Sequence, residues 1–306
     1  MERRPFLKNI SIGALGASVI PAEAFSMHDG PLSQNAFKLA FAPHFGMFDT
    51  LAGPDLLDQL RFMKEAGFQA VEDNEMAKRP VEMQEEIGET MRELGLSMGV
   101  FVGHSISWNE PDLASGDDEN LERFLEEIKS SIAVADRVDA KWITVVPGAK
   151  DPSLDMGYQT ANVIYALKRA VQILDPYKIT MVIEPLNFYD HPGMFLTGSA
   201  QAYEVCKAVG SPYCKILYDI YHQQIQEGNL ISNITRCWDE IAYFQMADNP
   251  GRKEPGTGEI NYANVLKFIA GKGYTGLVGM EHGVKTEGKD GELRVIEAYR
   301  EIDRTL

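Results

Sequence analysis

Thr180-Met-Val-Ile-Glu184, Lys215-Ile-Leu-Tyr-Asp219, Ile241-Ala-Tyr-Phe-Gln245 and Leu277-Val-Gly-Met-Glu281 are four apolar runs, each ending on a carboxylate or an amide. An apolar strand gains nothing from a carboxylate at its C-terminal end, because desolvating that group is costly unless something compensates it. A divalent cation is the simplest single partner for four such oxygens. Repeated on successive strands, the pattern reads as a metal-dependent parallel barrel, in which the C-terminal strand ends share one mouth.

Outward from these four runs the chain alternates in the same way. Strands are expected at Lys38–His44, Ala70–Asp73, Ser97–His104, Trp142–Pro147, Thr180–Pro185, Lys215–Ile220, Ile241–Ala247 and Leu277–Glu281, rich in Val, Ile, Phe or Met and mostly bounded by Gly or Pro. Helical periodicity fills the gaps: Leu56–Ala66 behind Pro54-Asp55, a helix from Pro80 to Leu94 closed by Gly95, Glu119–Val138, Tyr158–Leu174, Ala200–Val209, Ile231–Trp238, Tyr262–Ala270 and Leu293–Asp303. Eight β-α units over roughly 270 residues predict an α/β fold, a single (β/α)8 TIM barrel spanning 37–306. A doubly wound sheet is the competing architecture; the first strand lacks the GxGxxG turn that would favour it.

The 306 residues are 44% hydrophobic, enough for one large core, and the net charge of −16 argues against a nucleic-acid-binding surface. Cys206, Cys214 and Cys237 form no CxxC pair, so neither a thiolate metal site nor a disulfide framework is expected. Residues 1–26 read differently from the rest. Arg3-Arg4-Pro5-Phe6-Leu7-Lys8, a weakly apolar run from Ile10 to Ile20, and Ala22-Glu23-Ala24 resemble a twin-arginine export signal with a small-x-small cleavage site. That predicts an exported, periplasmic protein. The apolar run is too short for a stable membrane anchor.

Three carboxylates and an amide make an oxygen-only set, which suits one Mg²⁺ or Mn²⁺ rather than structural zinc. Such a site takes a hydroxyl beside a carbonyl, polarises the carbonyl and acidifies the adjacent C–H. Glu184 and Glu281, on strands five and eight, are placed to move the proton through an enediolate, giving an aldose–ketose isomerisation of a small hydroxy-carbonyl or sugar substrate. His222, three residues beyond Asp219, and Arg252, in the Pro/Gly-shaped loop after strand seven, are candidate substrate donors, with Glu254 positioned to orient Arg252. His104 ends strand three and Trp108 follows it; both are further substrate-binding candidates, and Trp108 suits stacking on a sugar face. His44 and Glu72 end strands one and two with a weaker signal. His28 and His191 have no supporting context. Alternation points His282 away from the site.

Glu184-Pro185-Leu186-Asn187, Asp219-Ile220-Tyr221-His222, Pro250-Gly251-Arg252-x-Glu254-Pro255, Gly258-Glu259-Ile260-Asn261 and Gly279-Met280-Glu281 together resemble the hydroxypyruvate isomerase branch of the xylose-isomerase-like TIM barrels. The resemblance runs from residue 37 to about 300. It implies metal ligation by Glu184, Asp219, Gln245 and Glu281, proton shuttling by Glu184 and Glu281, and substrate contacts from His222 and Arg252. Gln245 matches hydroxypyruvate isomerases, where sugar 3-epimerases usually carry His. The implied reaction interconverts hydroxypyruvate and tartronate semialdehyde. A ketose 3-epimerase or keto-sugar isomerase using the same two glutamates is the alternative. A three-zinc endonuclease of the same superfamily is disfavoured by the few histidines and the acidity, and an inactive sugar-binding protein by the intact ligand set. A homo-oligomer is compatible with all of these.

Overall fold

Eight strands alternate with helices in the computed structural model, which describes residues 36–306; the export signal expected at 1–26 lies outside the described residues. The strands are β1 (Ala40–Pro43), β2 (Ala70–Val71), β3 (Ser97–Met98), β4 (Trp142–Val145), β5 (Thr180–Ile183), β6 (Cys214–Asp219), β7 (Ile241–Gln245) and β8 (Leu277–Met280). The helices are α1 (Asp49–Ala52), α2 (Leu56–Glu65), α3 (Val81–Leu94), α4 (Asp118–Val138), α5 (Met156–Leu174), α6 (Ser199–Val209), α7 (Ile220–Gln226), α8 (Leu230–Cys237), α9 (Tyr262–Gly271) and α10 (Lys289–Asp303).

All strand pairs are parallel, in the orders β1-β8-β7-β6-β5-β4 and β2-β3. Single bridges join the two sets, His44 to Glu72 and Val102 to Thr144. Glu72 N donates to Pro43 O (2.9 Å), and Thr144 N donates to Phe101 O (2.8 Å), so the strands close into the expected barrel. No helix among the described residues is long and apolar enough to cross a membrane.

Local chemistry sets the boundaries. Asp55 caps α2 through the N–H groups of Leu57 and Asp58, and Asp117 caps α4 through those of Glu119 and Asn120. Gly95 closes α3 in the left-handed region, φ 65°. Three expectations are corrected. The regular part of β3 ends at Met98, not at residue 104. Beyond it Gly99 runs against Val71 O and Tyr243 Oη, where a side chain would collide, and the chain pairs only intermittently afterwards. Ile220 belongs to α7 rather than to β6, because Asp219 Oδ1 accepts Tyr221 N–H and starts a helix there. Helix α10 begins at Lys289, four residues before the apolar periodicity that starts at Leu293; two glycines, Gly288 and Gly291, disguise its first turn.

The barrel interior shows the layering that places the site. Ala42, Ala70, Val100, Val182, Leu217, Tyr243 and Leu277 pack in one apolar cluster inside the ring. Side chains two residues further along a strand point the same way, one step nearer the C-terminal mouth. Two residues beyond Ala70, Val182, Leu217 and Tyr243 stand Glu72, Glu184, Asp219 and Gln245; four beyond Leu277 stands Glu281. The strand period thus converts an apolar floor into a polar layer directly above it. The opposite faces carry the fully buried Phe41, Tyr218 and Phe244, packed outward. Burying each contributes on the order of 2–3 kcal/mol.

Candidate functional site

Glu184 follows the last residue of β5, Asp219 and Gln245 end β6 and β7, and Glu281 follows β8; Glu184, Asp219 and Gln245 are buried and Glu281 is part-exposed. Single donor atoms of Glu184, Asp219, Glu281 and His222 all lie within 4.8 Å of one another. Gln245 stands beside Asp219 in the register of the β6–β7 pair and beside Gly279 in that of β7–β8.

The α7 turn brings in His222, because a helix starting at Asp219 returns its fourth residue to the same side. Its Nε2 lies 3.5 Å from Asp219 Oδ2 and 3.7 Å from Glu184 Oε1. Its tautomer follows from Asn187. Asn187 Oδ1 accepts the N–H groups of Tyr189 (3.0 Å) and Asp190 (2.9 Å), which directs Nδ2 toward His222 Nδ1 at 2.7 Å. Nδ1 is therefore an acceptor, and Nε2 carries the proton and points at the carboxylates. Burial, followed by the charge of Arg252, pulls the His222 pKa down to about 3, so the ring is neutral. It is a hydrogen-bond donor to whatever oxygen enters the cluster.

Arg252 adopts φ 51°, a left-handed conformation that costs a non-glycine residue on the order of 1 kcal/mol. The loop compensates that cost. Asp248 accepts the N–H groups of Asn249, Gly256, Gly258 and Ile260, and Asp248 O accepts Arg252 N–H. The guanidinium lies over the Tyr221 ring, donates through Nη2 to Glu281 Oε2 (2.6 Å), and sits 3.6 Å from Asp219 Oδ2. Burial works against its charge, but Glu281, Asp219 and Glu184 outweigh it and raise its pKa. Glu254 does not orient Arg252 as expected from sequence; its carboxylate accepts Lys285 N–H (2.9 Å), and Glu281 holds the arginine instead.

Burial raises the pKa of Glu184 well above the usual carboxylate value, and Glu281 and Asp219 push it further. Burial also raises Asp219, against the opposing charge of Arg252. Glu281 Oε1 accepts Asn74 Nδ2–H (2.8 Å). A cavity of about 650 Å³ opens from this cluster, with Trp108 and His191 stacked in it at 5.0 Å. Trp108 is 43% exposed and presents an aromatic face. His104 lines the same cavity but gives both ring nitrogens to the backbone: Nδ1 to Ser105 O (2.9 Å) and Nε2 to Val146 N–H (3.2 Å). His282 is turned away onto Tyr299 Oη. His191, without context in the sequence, lies in the cavity wall beside His222. Asp190, and the role of Asn187 beyond its place in the Glu184 motif, escaped the sequence reading; the Asn-x-x-Asp spacing just after the Glu184 strand is the signal that could have found them. The three cysteines are buried and free.

The residues present fit a divalent cation. Asp219 Oδ2 and Gln245 Oε1 are buried acceptors without a hydrogen-bond partner, and an unpaired buried acceptor is costly. Both belong to the same polar layer as Glu184 and Glu281. The strand-end groups offer hard oxygens, which suit a divalent cation, with His222 standing among them. The two orphaned oxygens and the crowded carboxylates would be satisfied together by one ion.

Comparison with known proteins agrees with this architecture. The model of the xylose isomerase-like TIM barrel family matches residues 60–302. The chain is 38% identical over 179 residues to hydroxypyruvate isomerase of Escherichia coli (strain K12), covering 58% of this chain and 69% of that protein. It is 27% identical over 237 residues to 2-oxo-tetronate isomerase of Pectobacterium atrosepticum, covering 77% and 89%. Among solved structures it resembles an AP endonuclease, family 2, from Brucella melitensis (TM-score 0.72, 25% identity, 83% of this chain and 96% of that one). In fold it also resembles 3-keto-D-glucoside 4-epimerase from E. coli (TM-score 0.72, 20% identity, 88% and 100%). With the match running from Leu60 to Ile302 and the strand-end carboxylates converging on one mouth, the chain belongs to the xylose isomerase-like TIM barrel family.

Proposed function

We propose that this protein is a metal-assisted isomerase of α-hydroxy carbonyl compounds, with the interconversion of hydroxypyruvate and tartronate semialdehyde as its reaction. Its similarity to isomerases, on their shared fold, makes it an isomerase-type enzyme. The observation that carries the chemistry is the convergence of Glu184, Asp219, Glu281 and His222 at the barrel mouth beside two unpartnered buried oxygens.

Glu184, Asp219, Gln245 and Glu281 would hold one Mg²⁺ or Mn²⁺, which when bound polarises the substrate carbonyl and favours loss of the neighbouring C–H proton. The chain's own groups do the rest. His222 Nε2–H and Arg252 Nη2 donate to substrate oxygens. One of the two glutamates takes the proton from the hydroxyl-bearing carbon and the other returns a proton to the former carbonyl carbon, while the hydroxyl proton passes to the former carbonyl oxygen, so that the old hydroxyl becomes the new carbonyl. Asn74 on one side of Glu281 and Arg252 on the other fix that carboxylate's orientation before substrate arrives. Arg252 is also the fork donor suited to a substrate carboxylate.

The test is proton NMR in D₂O with Mg²⁺, on hydroxypyruvate, tartronate semialdehyde and free ketoses. Isomerisation with solvent deuterium at the carbon receiving the proton is expected. Glu184→Gln and Glu281→Gln should each lower the rate by about 10²–10⁴-fold. Unlabelled product, formed by Glu→Gln enzymes at near full rate, would sink the shuttle. Turnover confined to epimerisation of ketoses would replace the substrate assignment.

A further inference from the structure

Glu72 is a carboxylate that the reaction leaves without a role, although it stands in the same inward layer as Glu184 and Asp219. It follows the short β2 strand and is 1% exposed. Its Oε1 accepts Gln245 Nε2–H at 2.7 Å and its Oε2 accepts Tyr243 Oη–H at 2.8 Å. Among the described residues no cationic side chain forms an ion pair with it. A buried carboxylate held only by two neutral donors is an expensive arrangement for a fold to keep.

Three strands are shaped around that arrangement. Gly279 on β8 is the register partner of Gln245, and a Cβ at Gly279 would overlap Glu72 Oε2 and press on Gln245 Cγ. Glycine is therefore required there to let the carboxylate reach across β8 to β7. On β7, Tyr243 and Gln245 are two residues apart and grip one carboxylate oxygen each.

The consequence falls on Gln245. A primary amide has two nearly isosteric ends, and only its partners decide which way it faces. An ionised carboxylate offers acceptors alone. In the structure Oε1 accepts from Gln245 Nε2–H and Oε2 from Tyr243 Oη–H, so the NH₂ end of Gln245 faces Glu72 and the amide oxygen points away from it. That oxygen, Oε1, is a buried acceptor without a hydrogen-bond partner, and its neighbour across the β6–β7 pair is Asp219, whose Oδ2 is another.

We propose that Glu72 is a positioning residue: it holds the Gln245 side chain with its amide oxygen turned toward the carboxylate cluster, so that a neutral amide presents an oxygen ligand to a divalent cation. The proposal rests on the metal reading of the site. Orienting groups behind metal ligands typically govern 10–100-fold in affinity.

The test is Mn²⁺ binding by calorimetry on full-length protein, with no substrate present, in a double-mutant cycle. Glu72→Gln, whose own amide can face either way, should weaken Mn²⁺ binding about 10-fold or more. Glu72→Asp keeps the charge and withdraws the acceptor from Gln245; it should weaken binding comparably, and it serves alone if Glu72→Gln does not fold. In a Gln245→Met background, where no amide remains to be oriented, neither change should weaken binding further. Equal losses with and without Gln245, or full affinity in Glu72→Asp, would show that Glu72 acts through its charge or through the fold, and would overturn the proposal. Wild type that binds no Mn²⁺ would remove the metal reading itself and this inference with it; wild type that binds while both Glu72 variants bind equally well overturns the inference alone.

Discussion

Protonation of His104 should loosen the barrel at the seam between β3 and β4. Strands β3 and β4 are joined through one bridge, Val102 to Thr144, and His104 sits just above it. Its Nε2 accepts the buried N–H of Val146 and its Nδ1–H is held by Ser105 O, while the ring packs edge-on against Phe124 at 5.2 Å. Burial lowers its pKa from 6.5 to about 4. The folded protein thus keeps the ring neutral where the unfolded chain takes up a proton. Stability from this residue is complete above pH 6.5 and is lost as pH falls toward 4. Proton linkage puts the loss at about 2 kcal/mol by pH 5 and about 3 kcal/mol once both states are protonated. The comparison variant is His104→Gln, which keeps an acceptor for Val146 but does not titrate. Urea unfolding between pH 7.5 and 4.5 should show wild type more stable at the upper end, with the two converging or crossing as the pH drops. Taking the difference between the two proteins cancels titrations they share. Parallel stability curves across that range would refute the clamp and its neutral ring.

Metal binding should stabilise the folded state: at 100 times the dissociation constant, Mn²⁺ should add about 2.7 kcal/mol, raising the melting temperature by several degrees. Asp219→Asn should abolish that shift, and wild-type protein that melts identically with saturating Mn²⁺ or Mg²⁺ contradicts the metal site. We propose that residues 1–26 direct export, so Arg3→Lys combined with Arg4→Lys should trap the precursor in the cytoplasm. Efficient export of the double variant would reject the twin-arginine assignment, and a mature N-terminus far from Ala24–Phe25 would reject the cleavage site.

The polar layer at the strand ends is legible in the sequence because strand chemistry is local. A carboxylate closing an apolar β-run is costly wherever it occurs, so Glu184, Asp219, Gln245 and Glu281 stand out one by one, and the eightfold alternation says that their ends share a mouth. Gly95 and Asp55 announce their helix ends for the same local reason. The tertiary structure alone decided which neighbours each group meets. His222 Nε2 is a donor because an asparagine 35 residues earlier turns its amide toward Nδ1. His104, a candidate from its place on strand three, is drawn into the β3–β4 seam, and His191, which had no supporting context, comes onto Trp108. Glu72 meets Gln245 across 173 residues through the space left by Gly279. Periodicity reports which face a side chain takes; register, loop path and the absence of a Cβ decide what it touches, and these are set only when the ring closes.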